Sequence, residues 1–238
     1  MPDYIHAPSA SSSGAASERI VLDIPVDFTV ETLAPLCRVR PDSGAWDLLE
    51  EAVPLVNQFG APRAVIKWAS VDAIEGDHTT IDGVTFESKV VADKLRHTPR
   101  VFLSVVTAGS GLEQCEELKN GLMLNMLDGA LLYHASAWMI GYMKDRFGFD
   151  GSSMLSPGSL PDWPIQNNFA LFDIIGNTEE IGVSLNAAGY IKPWNSGSHI
   201  HFSGDGYQNC SLCRKYDCVG RRARFNREEY IRIFGMEP

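Results

Sequence analysis

Three of the chain's five cysteines, Cys210, Cys213 and Cys218, fall within nine residues as C-x2-C-x4-C. Nothing at the start of the sequence reads as an export signal, and a reducing cytosol keeps such thiols from pairing. The spacing therefore points to a soft metal ion or an iron–sulfur centre held by thiolates. A closed zinc site takes four ligands and only three cysteines are local, so the fourth would come from His199, His201, Cys115 or Cys37. An iron–sulfur cluster carries the same deficit. The surroundings favour iron–sulfur: Arg214, Lys215, Arg221, Arg222 and Arg224 crowd the cysteines in a chain of net charge -10. Cationic neighbours offset the negative charge of a thiolate-ligated cluster and so act on its potential. The alternative is zinc as a staple that fastens the C-terminal tail.

A second candidate is the run Ser156-Pro157-Gly158-Ser159-Leu160-Pro161-Asp162-Trp163-Pro164. Its prolines fix φ and hold the residues before them extended, which makes a stiff loop. A helical pattern follows over 164–175, with Pro164 in the first turn, Asp162 as cap, and Ile165, Phe169, Phe172 and Ile175 on one face. A rigid loop ahead of a helix is a pre-organised platform for a ligand, and Trp163 would add a flat apolar face. The competing reading is a connector whose tryptophan fills the core. The turn at 107–111 (TAGSG) joins a strand to a helical region and is an anion candidate. It matches neither a Walker loop nor G-x-G-x-x-G, so a tight turn is the simpler reading.

The scaffold for these residues is one globular body: 238 residues at 45% hydrophobic content bury a substantial core. Twenty basic against 30 acidic residues leave no cationic excess for phosphates outside the tail, which argues against a sequence-independent nucleic-acid binder. Residues 1–17 are small and polar, with neither a basic nor an apolar region, and read as a disordered leader; the expected address is cytoplasmic. The apolar run 129–143 (GALLYHASAWMIGYM) is too short to span a bilayer and reads as a buried helix.

Alternation and β-rich composition predict strands over 20–28, an edge strand because of Pro25, and over 63–70 and 100–107. They also predict a hairpin over 78–86 around Asp82-Gly83 and strands over 181–185, 189–193 and 199–202, the last placing His199 and His201 on one side. Helices are expected over 45–59, kinked or shortened by Pro54, over 87–95, through 112–147, and over 227–234, where Asn226 and Glu229 form a capping box. These elements divide the chain into the leader, an α+β domain over 18–204, and a Cys-rich basic tail over 205–238.

Taken together, SPGSLPDWP with its following helix, IGVSLNAAGYIKPWNSGSHIHF, and FESKVVADKL followed by RVFLSVVTAGSGLE resemble the activation (reactivation) domain of cobalamin-dependent methionine synthase, and more closely its stand-alone bacterial relatives. The resemblance spans residues 20–203. It implies an activation-domain-like α+β fold with a mixed or antiparallel sheet, and S-adenosylmethionine held at Ser156, Pro157, Gly158, Pro161, Asp162 and Trp163 with 194–203 lining the same cleft. It also implies reductive reactivation of a separate corrinoid methyltransferase such as methionine synthase. The corrinoid motif D-x-H-x-x-G is absent here, so cobalamin would be carried by that partner, and an iron–sulfur centre at the cysteines would deliver the electron. The chain departs from the family at Met154, where an arginine is usual, and at Ser159, where a tyrosine is usual. It also lacks any acid in 131–142, where the family places a carboxylate near the sulfonium. Two rival readings remain: a zinc-stapled docking module for a corrinoid enzyme without redox turnover, and S-adenosylmethionine-dependent methyl transfer to the corrinoid.

Overall fold

The computed structural model describes residues 19–118, 121–151, 153–204, 206–216, 218 and 221–238; the expected leader lies outside them. Strand β1 (Arg19–Asp23) stops ahead of Pro25, which has no N–H for a ladder. Helix α1 (Val30–Cys37) gives little sign of itself in the sequence because its capping box is built from two threonines. Thr29 Oγ1 accepts from Thr32 N, and Thr32 Oγ1, where Glu or Gln is usual, accepts from Thr29 N at 2.9 Å. Helix α2 (Ala45–Phe59) runs on through Pro54 and is not shortened by it. Both Pro54 and Glu50, whose carbonyl loses its partner, face solvent, so water satisfies the carbonyl while Leu49, Ala52 and Val56 anchor the inner face.

Strand β2 (Arg63–Glu75) outruns the expected 63–70 because it serves two sets of neighbours. Its first half lies between β1 and β5 (Arg100–Thr107), and its second half pairs with β3 (His78–Ile81). Strands β3 and β4 (Val84–Glu87) form the expected hairpin, with Asp82 and Gly83 at φ 44° and 78°, the left-handed pair that a two-residue turn requires. Helix α3 (Lys89–Leu95) follows. Past β5, the expected helical region begins as two 3-10 turns, Leu112–Gln114 and Glu116–Leu118, before α4 (Gly121–Phe147). The order then runs β6 (Ser153–Leu155), α5 (Asn167–Ile175), β7 (Ser184–Leu185), β8 (Ile191–Lys192), β9 (Ser196–Phe202) and α6 (Arg227–Phe234).

Two helix expectations need correction. α5 starts at Asn167, and Asp162 is not its cap. Its buried face is Asn168, Leu171, Phe172, Ile174 and Ile175, while Phe169 is 42% exposed. The rotation has a polar cause: Asn168 Nδ2 donates to Gly189 O at 2.9 Å and Asn168 Oδ1 accepts from Ser198 Oγ at 2.6 Å, which draws that side chain inward. α6 is as expected, with Asn226 Oδ1 accepting from Glu229 N at 3.1 Å.

The described strands form an antiparallel sheet in the order β4-β3-β2-β5-β9-β6, with β1 beside β2 and a separate β7–β8 ribbon. Central β5 is buried on both faces. Val101, Leu103 and Val105 pack with Val91, Trp163, Leu171 and Ile200, whereas Phe102 and Val106 pack with Ala135, Met139 and Met143 of α4. A third cluster joins α1, α2 and the first half of α4 through Leu33, Leu49, Val56, Leu127 and Leu131. Each such side chain contributes about 1.5–3 kcal/mol by leaving water. The 205–238 segment shares the first of these cores: Leu212 and Tyr230 are wholly buried in it. Among the described residues no helix is long and apolar enough to cross a membrane.

The glycine turn after β5 is a packing device. A Cβ at Gly111 would stand 1.9 Å from Phe59 O, and one at Gly109, whose φ is 77°, would stand 2.6 Å from Ala61 O. The turn's backbone is pressed against the end of α2, the tight-turn alternative to an anion cradle. Gly111→Ala is expected to lower stability by about 3 kcal/mol or more through forced backbone displacement, read from the urea midpoint.

Candidate functional site

Pairing places β9 and β6 at one margin of the sheet, and their α4-facing side chains form a polar row. Phe102 lies opposite His201, Ser104 opposite His199, and Met154 opposite His201 on the other flank. His201 is 1% exposed and its Nε2 pairs with Ser104 Oγ at 2.9 Å; His199 Nδ1 pairs with Ser156 Oγ at 2.7 Å. The two rings are 5.6 Å apart, as expected for residues on one side of a strand. Burial, seconded by the charge of Arg222, pushes His201 down to about 3. His199, partly open as a residue but with its ring set deep, is held well below the usual imidazole range by burial, then by His201 and Arg222. Both rings are therefore neutral at physiological pH. Gly197 leaves room for this: a Cβ there would meet His199 Nε2 at 2.9 Å.

Near the start of β9 the row continues into a buried carboxylate. Asp128 of α4 is 4% exposed and its Oδ2 accepts from Asn195 Nδ2 at 3.2 Å. Burial raises it to about 6, the Asn195 bond opposing and Glu113 reinforcing. Asn195 O accepts from Ala108 N at 2.9 Å, and Ser196 Oγ donates to Thr107 Oγ1 at 2.8 Å, so the segment is fixed to the end of β5. Beside it Trp194 stands 69% exposed. Asp128 is absent from the expected site because the apolar window 129–143 begins one residue past it. The available signal was a lone acid in the otherwise uncharged stretch 121–143.

The loop 156–164 divides between the two sides of the sheet. Ser156 belongs to the polar row. Gly158 turns at φ 80°, and its N–H closes on Trp163 O at 2.8 Å; a Cβ there would strike Ile165 Cδ1 at 2.7 Å. Pro157 is buried and Pro161 exposed. Asp162 caps α3: its Oδ2 accepts from Ser88 Oγ at 3.0 Å and Val90 N at 3.3 Å. Trp163 is 0% exposed and meets Phe86 edge-on at 6.0 Å, which is the core-filling alternative. Asp162 also borders a hollow of about 410 Å³ with Asp77, Glu87, Ser88, Lys89, Pro164 and Asn167. Asp162 Oδ2 is engaged on α3 and Lys89 Nζ donates to Ile233 O at 3.3 Å, while Asp162 Oδ1 is buried without a partner among the described residues.

The cysteine segment is laced along β6. Met154 N donates to Tyr207 O at 2.8 Å, Ser153 Oγ accepts from Gly206 N and Tyr207 N at 3.0 Å each, and Asn209 Nδ2 donates to Ser156 O at 3.1 Å. This places Cys210, in the 3-10 turn Asn209–Ser211, next to the polar row. Arg222 joins the parts: its N–H points to Cys210 Sγ at 3.4 Å, its guanidinium lies 5.5 Å from the Tyr133 ring of α4, and its charge acts on both histidines. Cys210, Cys213 and Cys218 are half-buried free thiols. Among the described residues, no group of three or more His, Cys, Asp or Glu side chains is arranged to hold a metal ion; the fit is in donor chemistry, three thiols beside cationic groups. His199 and His201 spend one ring nitrogen each on serines of the row, and Cys37 and Cys115 are buried elsewhere, in the α1–α2 cluster.

An antiparallel sheet flanked by helices on both faces, with a buried polar contact where Asp128 of α4 meets Asn195 at the start of β9, makes this an α+β protein. Its fold is that of the MetH reactivation domain. A crystal structure of the MetH reactivation domain bound to AdoHcy superposes with a TM-score of 0.55, covering 92% of this chain and 86% of that chain at 16% sequence identity. No protein-family model and no curated protein matches the chain in sequence.

Proposed function

We propose that the chain supports the reactivation of a corrinoid methyltransferase carried on a separate polypeptide, such as a methionine synthase, and that it binds an S-adenosyl ligand between α4 and the 194–199 segment. The observation that carries the ligand reading is Asp128, a buried carboxylate beside an exposed tryptophan in a fold whose solved neighbour binds AdoHcy. A carboxylate at that depth is costly unless it answers a cation, and a sulfonium is a cation. Asp128 thus takes the role for which 131–142 offers no residue. Trp194 would supply a flat face, Ser156, Pro157 and Gly158 the near wall, and Pro161, Asp162 and Trp163 the support behind it. Bound there, S-adenosylmethionine would supply the methyl group that a reduced cobalt accepts. The chain's own residues hold the ligand, and the neutral His199–His201 pair keeps the floor of the cleft uncharged. In this reading the protein works in the cytoplasm and the thiol segment carries the electron through an iron–sulfur centre.

The test is titration calorimetry with two ligands that differ by one charge. S-adenosylmethionine is expected to lose about tenfold or more in affinity on Asp128→Asn, equivalent to about 1.4 kcal/mol, while neutral AdoHcy changes little. Equal losses for both ligands, or no binding of either to the unaltered chain, would refute the ligand site. Restoration of methyl transfer to a cob(II)-inactivated methionine synthase core tests the partner.

The second reading is the zinc-stapled docking module. It is favoured by the wholly buried Leu212, between Cys210 and Cys213, and Tyr230, beyond Cys218, which fasten the segment to the core as a structural staple would. Anaerobically purified protein that is colourless with stoichiometric zinc supports it, whereas a visible band bleached by reductant supports iron–sulfur.

A further inference from the structure

Arg221 is the hub of the cysteine segment. Its Nη1 donates to Cys210 O at 2.6 Å and Ala223 O at 3.2 Å, and its Nη2 to Cys213 O at 2.9 Å and Lys215 O at 2.7 Å. One planar fork thus holds the backbones of both residues of the C-x2-C pair. All four of these bonds go to carbonyl oxygens, and the buried Nε has no partner among the described residues. The guanidinium itself is seated on aromatic side chains that run into the core: it lies 5.9 Å from the Tyr216 ring, Tyr216 meets Phe225 at 5.1 Å, and Phe225 meets Tyr230 at 5.5 Å.

A cation held on neutral carbonyls inside a loop bearing three thiols is electrostatically incomplete, and a metal bound by several thiolates carries the negative charge that completes it. The thiols are not gathered as a ligating set in the structure, but with the backbones of Cys210 and Cys213 already fixed, part of the ordering cost of gathering them is met in advance. Arg222 contributes the N–H aimed at Cys210 Sγ, a bond that strengthens when the sulfur is anionic. We infer that Arg221 is the positioning residue of a thiolate metal site formed by Cys210, Cys213 and Cys218, organising the ligand backbones and balancing the charge of the bound centre. This rests on reading the thiol segment as the metal-bearing part, and it is independent of the S-adenosyl site.

The experiment is an anaerobic titration of the full chain with Co²⁺, followed by thiolate-to-metal charge-transfer absorption, with thermal unfolding run in parallel. The unaltered chain is expected to bind one ion with a thiolate band. Arg221→Lys, which keeps the charge but loses the fork, should weaken binding about 10- to 100-fold and lower the band intensity per bound ion, because fewer thiolates reach the metal. Arg40→Met, a change at an exposed cation between α1 and α2, should bind as the unaltered chain does. Unchanged affinity and intensity in a folded Arg221→Lys, or no thiolate band in the unaltered chain, would overturn the inference. Should the Arg221 variant not fold, alkylation of the three thiols in the unaltered chain decides: protection by Co²⁺ supports the site and no protection overturns it. Failure here with intact S-adenosylmethionine binding would leave the cleft reading standing, and the reverse result would separate the two the other way.

Discussion

Trp163→Ala is expected to lower the unfolding free energy by about 3–5 kcal/mol, measured by urea denaturation with tryptophan-independent circular dichroism. The indole is wholly buried where α3, α5 and the sheet converge, edge-on to Phe86, and truncation leaves a cavity that the stiff proline loop cannot collapse to fill. Trp163→Phe should cost much less, because the indole N–H has no hydrogen-bond partner among the described residues and its removal strands none of them. A small loss for the alanine variant would mean that the loop relaxes into the space, and the picture of a rigid 156–164 segment would fall with it.

Acidification should produce the second large effect. The folded-state values of His199 and His201 lie below the ordinary 6.5, so below pH 6.5 the unfolded chain binds protons that the folded chain refuses, and stability falls with pH until His201 protonates near 3. Each imidazole contributes a slope of about 1.4 kcal/mol per pH unit in that window. Asp128 opposes them: raised from 3.8 to about 6, it adds stability as pH falls between those values and cancels roughly one imidazole. His201→Gln keeps a polar end toward Ser104 and removes one titration. Its stability–pH profile should accordingly be flatter than that of the unaltered chain by about 1.4 kcal/mol per pH unit between pH 6 and 4. Parallel profiles would show that His201 is not held neutral by its surroundings.

The parts of this architecture that were legible in the sequence are those whose signals are local. The Asp82-Gly83 turn, the eight-residue strand over 100–107 and the Asn226–Glu229 cap each follow from residues within one element. The errors come from forces that act between elements. Pro54 does not break α2 because its orphaned carbonyl faces water and the opposite face is anchored. Phe169 turns outward because Asn168 is drawn in by Gly189 and Ser198, partners 21 and 30 residues away. Asp162 caps a helix more than seventy residues earlier in the chain, a bond no spacing rule contains. The site followed the same division: the thiols and the His-x-His alternation were visible as patterns, whereas Asp128 acquires its meaning from Asn195, 67 positions on.

The lacing of residues 206–209 along β6 has a consequence for assembly. An outermost strand with free amides and carbonyls invites another chain to extend the sheet, and here Met154 already gives its N–H to Tyr207 and bridges to Gln208. The thiol-bearing segment therefore acts as a selvedge on that margin. A companion protein meeting this side encounters side chains and turns rather than open backbone, so recognition there must be read from surface chemistry and not from strand addition.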